Sequence, residues 1–459
     1  MKTILIPITS NFFIRSFLRG DAFRILRDAP GIRLVFLAPE EKLDYYRNEF
    51  LGSRVVFDRL PQYRSYRVER FFKFIEIASI HTRTGAIMQY TDFLRTGSQA
   101  RWPQRCMTFC IQRMLWHMGR FRWWRGAIRA AYAAIPSSIF SVALQKYNPD
   151  LVFVPTMLAP DMPMVKEAKA RAIYTVGMVL SWDNLYSKTI ARSHPDALLV
   201  HTDSIERQAR TLGDYDAKRI TVIGVPQYDA HFQKKRVLSR AEFMTSLGGD
   251  PSKKLIVYAL SGKGGLEIEF DVLDILHESM ARGDLGSDIQ VLVRPYPRYD
   301  LPPEKIDLLK TRYGFLATPS MAHIGTGKDN WEFDEASLSL LANTLAHADI
   351  VITMYSTFFI EGAIWDKPLI GIAFDGRLPR NYWNSAARFF EWDHLAEIKT
   401  LNGVCLIKNR EELVSAIHSC VRNPAHLQEG RRAIVAQQCQ YTDGGSGERI
   451  ASFLLKQVS

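Results

Sequence analysis

Acidic residues are missing from a long stretch of this sequence: between positions 93 and 149 there is no aspartate or glutamate. Cysteine is scarce too. The five present (Cys106, Cys110, Cys405, Cys420 and Cys439) follow no metal-site spacing, since Cys106 and Cys110 have no second pair. An odd count without a secretory leader reads as reduced cytosolic thiols. The opening MKTILIPITS is read as no signal peptide, because its apolar part is short and Arg15 and Arg19 soon follow. No apolar run reaches the roughly 18 residues that a membrane-spanning helix needs. Internal repeats and low-complexity tracts are absent, and no G-x-x-x-x-G-K-[ST] loop occurs. What remains is a chain of 459 residues, 47% hydrophobic and 23% charged, ordinary for a globular protein and long enough for two domains.

The acid-free stretch is strongly basic. It carries Arg95, Arg101, Arg105, Arg113, Arg120, Arg122, Arg125, Arg129 and Lys146, with Trp102, Trp116, Trp123 and Trp124, so the net charge of +11 is unevenly spread. Indoles settle at the headgroup level and arginines meet lipid phosphate, which predicts contact of 93–149 with an anionic membrane surface. A helical hairpin with core aromatics and solvated arginines is the plainer reading. Nucleic acid is the weakest fit and is not expected as a partner.

Strand-like runs alternate with helical stretches. The first half has runs at 3–8, 32–37, 54–57, 150–154, 172–180, 197–200 and 220–225, with a helical pattern at 12–28 and a mostly helical basic segment at about 61–148. The polar stretch 227–251 reads as a linker. The alternation restarts at 254–260, 289–293, 315–317, 349–353 and 369–373. The pattern predicts βαβ units in parallel sheets: an α/β chain with Rossmann-like domains at 1–232 and 233–425, and a C-terminal helix in 426–459 packing back on the first domain. The ligand site is expected in the cleft between facing strand ends.

Two loops in the second half suit a phosphate. Ser261-Gly262-Lys263-Gly264-Gly265 follows a strand; its glycines let backbone amides approach an anion and Lys263 adds charge. The second, Ser356-Thr357 after strand 349–353, opens a helix, and Glu361 lies five residues on, where a carboxylate can accept from a ribose diol. In the first half, LSWDNLYSK at 180–188 leaves a buried strand. Asp183 or Asn184 there either caps the next helix or serves a ligand.

The stretch ADIVITMYSTFFIEGAIWDKPLIGIAF resembles the nucleotide-binding signature of GT-B glycosyltransferases. It is similar in particular to CDP-glycerol glycerophosphotransferases of teichoic acid synthesis and to UDP-N-acetylglucosamine 2-epimerases. In the epimerases a Ser-Gly-Gly loop precedes a ribose-binding Glu at the spacing of Ser356 and Glu361, and Lys367-Pro368 matches too. The glycerophosphotransferases carry a proposed base in a WHGTPLK-like loop. Trp182-Asp183-Asn184-Leu185-Tyr186-Ser187-Lys188 has its shape, with Asp183 in the place of the His. Gly224-Val225-Pro226-Gln227-Tyr228-Asp229 resembles the G-x-P-R-x-D turn of that family, and Asp443 to Arg449 its closing D-G-x-x-x-x-R. Where the family has R-x-H-P, this chain has Arg294-Pro295-Tyr296-Pro297; the lost histidine favours a sugar donor over a polyol phosphate and also counts against the epimerases.

The resemblance implies a GT-B fold and a glycosyltransferase of bacterial surface polysaccharide synthesis at the cytoplasmic membrane face. The donor would be a UDP- or CDP-linked sugar, the acceptor a glycan or lipid-linked carbohydrate. Asp183 is the candidate base; Ser261, Gly262, Lys263, Arg294, Ser356, Thr357 and Glu361 are the candidate donor residues; Trp182, Asn184 and Lys188 stand nearby. Arg294 and Lys263 offset leaving-group charge, so no cofactor or metal is expected, and one carboxylate base fits an inverting displacement. Polyol-phosphate transfer, a UDP-sugar 2-epimerase-like activity and a nucleotide-sugar or polyanion-binding scaffold are the alternatives. Asp214-Tyr215-Asp216 spells D-x-D but precedes a strand, and is expected to be a surface turn.

Overall fold

Seven strands form the first sheet of the computed structural model: β1 (Lys2–Pro7), β2 (Ile32–Ala38), β3 (Val55–Arg59), β4 (Leu151–Val154), β5 (Tyr174–Met178), β6 (Ala197–Val200) and β7 (Ile220–Val222). Their order is β3-β2-β1-β4-β5-β6-β7, all parallel. The structure describes every residue except 62–66, 95–100, 160, 263 and 326–328. Parallel strands are covered on both faces, so they read as continuous apolar runs. In β1, Ile4 and Ile6 enter one buried cluster and Leu5 the other.

The second sheet comprises β8 (Lys254–Ala259), β9 (Ile289–Arg294), β10 (Leu316–Ala317), β13 (Ile350–Thr353), β14 (Leu369–Ile372) and β15 (Cys405–Ile407), ordered β10-β9-β8-β13-β14-β15 and parallel throughout. Between β10 and β13, the short β11 (Ala322–His323) and β12 (Trp331–Glu332) pair antiparallel. The chain divides into two compact units. One is Met1–Asp229 with Ile324–Asn330 and Cys439–Ser459; the other is Ala230–His323 with Trp331–Gln438.

Several elements differ from the sequence reading. The helical pattern at 12–28 is a π-turn, Ile14–Leu18, and a helix, Asp21–Asp28, separated at Gly20, whose extended backbone ends the first. β5 starts at Tyr174 because Ala172 is left-handed. β15 was too short to show a period. The polar 227–251 contains a helix, Arg240–Ser246, started by a capping box in which the Ser239 hydroxyl accepts from the Glu242 amide.

The basic segment forms helices Arg67–Ala78, Arg83–Leu94, Trp102–Met118, Arg122–Ala134 and Ser141–Tyr147, inserted between β3 and β4. Its arginines are not all solvated. Arg125 Nε donates to Asp214 at 2.8 Å and Arg129 Nη2 at 2.9 Å, and Arg122 reaches the same carboxylate at 3.3 Å. Against the upward push of burial, Arg125 and Arg129 hold Asp214 below the usual carboxylate range. The D-x-D turn is therefore an anchor rather than a surface turn: only Asp216 is exposed, and Tyr215 stacks on His194 with ring centroids 4.0 Å apart. Arg95 lies outside the described residues. Trp102, Met107, Ile111, Met114, Phe121 and Trp123 are exposed, as are Arg101, Arg120 and Arg122. Among the described residues no helix is long and apolar enough to cross a membrane.

Candidate functional site

The order of each sheet reverses at one place, between β1 and β4 in the first and between β8 and β13 in the second. Ligands of open α/β sheets bind beyond the strand ends at such points.

At the second reversal the candidate donor residues Ser261, Arg294, Ser356 and Thr357 come together. Ser261 follows β8; its hydroxyl accepts the backbone N–H of Tyr355 at 3.2 Å and lies 3.4 Å from Thr353 Oγ1. Gly262 has φ 105°, left-handed backbone open to glycine at little strain, and a Cβ there would lie 3.6 Å from Tyr296. Arg294 ends β9, the neighbour of β8, with its guanidinium 5.0 Å from the centroid of the Phe358 ring. Ser356 Oγ accepts from the Phe358 amide at 3.2 Å. Lys263 lies outside the described residues.

Glu361 sits on the helix Phe358–Ile364 and is only 2% exposed. Thr357 Oγ1 donates to its Oε1 at 3.2 Å, and His231 Nε2 is 3.2 Å from its Oε2. Trp365 Nε1, which can only donate, is 3.2 Å from His231 Nδ1. That contact places the imidazole proton on Nε2, so His231 donates to Glu361. The sequence reading did not include His231. Its partner lies 130 residues away, and a single histidine carries no local signal.

The loop after β5 is fastened from several sides. Thr9, beyond β1, donates to Asp161 Oδ1 at 2.7 Å; the Thr156 hydroxyl and amide and the Met157 amide donate to Asp161 Oδ2. Asn184, buried, donates to the Thr156 carbonyl at 3.3 Å. Thr82 of the helical segment donates to the Tyr186 carbonyl at 2.7 Å. Trp182 packs against the cluster on the helical-segment face of the sheet. Asp183 opens the turn Asn184–Ser187, but its side chain makes no capping bond. Instead Oδ2 pairs with Lys188 Nζ at 2.7 Å.

The turn at 224–229 and the glycine-rich stretch near the C-terminus meet each other. Asp229 Oδ1 accepts from Ser446 N at 3.2 Å and Oδ2 from Gly447 N at 2.7 Å, at the start of the helix Ser446–Val458. Gly224, with φ 85°, has no room for a side chain, since a Cβ would fall 2.5 Å from Ser446 Oγ. Asp443 pairs with Arg449. These two motifs form a joint within the first unit.

Comparison with known proteins bears on the whole arrangement. The sequence profile described as CDP-Glycerol:Poly(glycerophosphate) glycerophosphotransferase matches residues 187–456, more than half of the chain. No curated protein matches the sequence. Among solved structures, the UDP-GlcNAc 2-epimerase of Neisseria meningitidis, bound to UDP-GlcNAc, is similar with a TM-score of 0.55 at 12% identity, over 99% of this chain and 100% of that one. The wall teichoic acid polymerase TagF gives 0.52 at 13% identity, over 100% of this chain and 88% of that one. A glycosyltransferase from Rickettsia africae gives 0.51 at 10% identity, over 99% of both. At such identities the likeness concerns the fold, two Rossmann-like parallel-sheet domains of GT-B type. The matched span holds the β8, β9 and β13 strand ends and both halves of the 224–229 joint, and starts just after Asp183. By that match, the chain belongs to the CDP-Glycerol:Poly(glycerophosphate) glycerophosphotransferase family.

Proposed function

We propose that this protein transfers a sugar from a UDP- or CDP-linked donor to a hydroxyl of a glycan or lipid-linked acceptor in bacterial surface-polymer synthesis. The observation carrying this reading is the convergence of Ser261, Arg294, Ser356 and Thr357 at the reversal point of the second sheet. The acceptor oxygen attacks the anomeric carbon, the bond to the diphosphate oxygen breaks, and Asp183 takes the hydroxyl proton. Arg294, with Lys263, offsets the charge gathering on the departing nucleoside diphosphate, so the scheme needs no metal ion. One displacement inverts the anomeric centre. Polyol-phosphate transfer is the second reading, favoured by the family; Tyr296 in place of the histidine of that family favours a sugar. Assays with UDP-GlcNAc and CDP-glycerol separate them: transfer from CDP-glycerol alone would replace the sugar reading with the second one, and turnover of neither would leave the scaffold reading.

Glu361 is the proposed ribose ligand. Glu361→Gln is expected to weaken CDP or UDP binding by about 1–3 kcal/mol, the range for losing a charged hydrogen bond. Because Thr357 and His231 also hold this carboxylate, the sharper measure is the ratio of ribo- to 2′-deoxyribonucleotide affinity in calorimetric titrations. The ratio should shrink in the variant. An unchanged ratio makes Glu361 a structural residue.

The exposed Trp102, Met107, Met114 and Trp123, flanked by Arg101, Arg120 and Arg122, support peripheral contact with the cytoplasmic membrane face. The protein is expected to sediment with anionic vesicles and to be released as salt rises, since exposed charges are screened within about 8–10 Å at physiological ionic strength. Equal sedimentation with neutral vesicles would remove the electrostatic part; no sedimentation with either would make this face an ordinary solvated one.

A further inference from the structure

The helix Leu266–Ala281 carries a carboxyl group into the core of the second unit. Glu269, in its first turns, is 0% exposed and lies three and four residues before the buried Val272 and Leu273. Oε1 accepts the backbone N–H of Ser261 at 2.8 Å. Among the described residues Oε2 has no hydrogen-bond partner, and no cation pairs with the group. The titratable side chains set against it are Tyr258 of β8 and Tyr355 beyond β13. Burial first, and then Glu269 itself, push both phenols up, so neither supplies a charge. The Tyr258 hydroxyl is likewise buried, with no partner among the described residues. An ionised carboxylate with one bare oxygen and no cation is costly in such surroundings. Burial pushes Glu269 up to about 8, outweighing the hydrogen bond from the Ser261 amide that favours the charged form. Burial without a cation thus favours the uncharged acid.

Ser261 is also the residue whose hydroxyl receives the Tyr355 amide and so joins the β8 and β13 loops. We propose that Glu269 is a positioning residue of the donor site, holding Ser261, and with it the turn at Gly262, for the donor diphosphate only as the neutral acid. The proposal rests on the donor reading above. Glu269 acts through Ser261 and does not touch the donor. Its ionisation would set a negative charge behind a loop that receives an anion, in a buried place where water and salt screen it little.

The test is calorimetric titration of CDP and of UDP into wild type and Glu269→Gln from about pH 6.5 to 9.5, with melting temperatures on the same samples. In wild type the Kd is expected to rise about tenfold per pH unit above about pH 8, because only the protonated protein binds well. In Glu269→Gln, which keeps the volume and cannot ionise, the Kd should stay flat across that range. Parallel slopes in the two proteins overturn the assignment to Glu269. Should the variant not fold, wild type alone decides. Titration at about pH 8.5 in buffers of different ionisation heat must show proton uptake on nucleotide binding, and its absence overturns the proposal. A failure of both nucleotides to bind either protein at every pH is a distinct result: it overturns the donor reading itself, and with it any diphosphate role for the loop.

Discussion

Asp183→Asn is expected to lower transfer turnover by about 10²–10⁴-fold, the usual contribution of a positioned general base, with little change in nucleotide affinity. The fold should be almost untouched. Asp183 makes no capping bond, and its ion pair with Lys188 joins side chains that are 21% and 45% exposed. Losing a pair of that exposure costs about 0–1 kcal/mol. Lys188→Met is the matching control, because it breaks the same ion pair and leaves the carboxylate. It should retain far more activity than Asp183→Asn. A folded Asp183→Asn protein with wild-type turnover would falsify the base assignment. The nearest substitutes are poor ones. Asp161 is fully buried and engaged by Thr9, Thr156 and Met157. His194 is held down to about 3 by burial and by Arg129, so it is neutral, and it stacks on Tyr215.

The two sheets were legible because parallel strands buried on both faces leave unbroken apolar runs, as in Leu255 to Leu260 or Ile350 to Thr353. Breaks and short edges were not. Gly20 divides one helical pattern into two elements, and β15 has only three residues. The basic segment shows where composition misleads. A window without acids looks unpaired, yet the carboxylate serving Arg125 and Arg129 lies more than 80 residues downstream, at Asp214. Loops at strand ends announced themselves through Ser, Thr and Gly in sequence. The residues that brace them did not, because bracing is a long-range property. His231 meets Glu361 only in the folded unit. Glu269 did leave a trace: an acid at i with apolar residues at i+3 and i+4 is a carboxyl group on a buried helix face.

The helical segment fastens the Asp183 loop a second time, beyond the Thr82–Tyr186 bond, through Arg192. Its guanidinium is fully buried, donates to Glu69 at 2.6 Å and to Glu76, and lies 4.8 Å from the centroid of the Tyr132 ring. Glu69 and Glu76 stand seven residues apart on the helix Arg67–Ala78, two turns along one face, a span that one planar fork can bridge. Glu76 also accepts from the Thr189 hydroxyl at 2.7 Å and the Ile190 amide at 3.2 Å, just beyond Lys188. Arg192→Ala would leave two buried carboxylates without their cation. It is expected to destabilise the first unit by about 3–5 kcal/mol, the usual cost of breaking a buried ion pair from one side. In urea or thermal unfolding this should appear as a melting temperature lower by roughly 6–20 °C, at about 2–4 °C per kcal/mol for a unit of this size. Arg192→Lys should fall between, since a single ammonium keeps the charge but cannot bond both carboxylates in the same geometry. Turnover should drop with stability in both variants, because residues 189–192 follow directly on the loop that carries Asp183. Wild-type melting in Arg192→Ala would mean that Tyr132 and Thr189 hold the carboxylates unaided, and Arg192 would then lose its assigned role in fastening the loop.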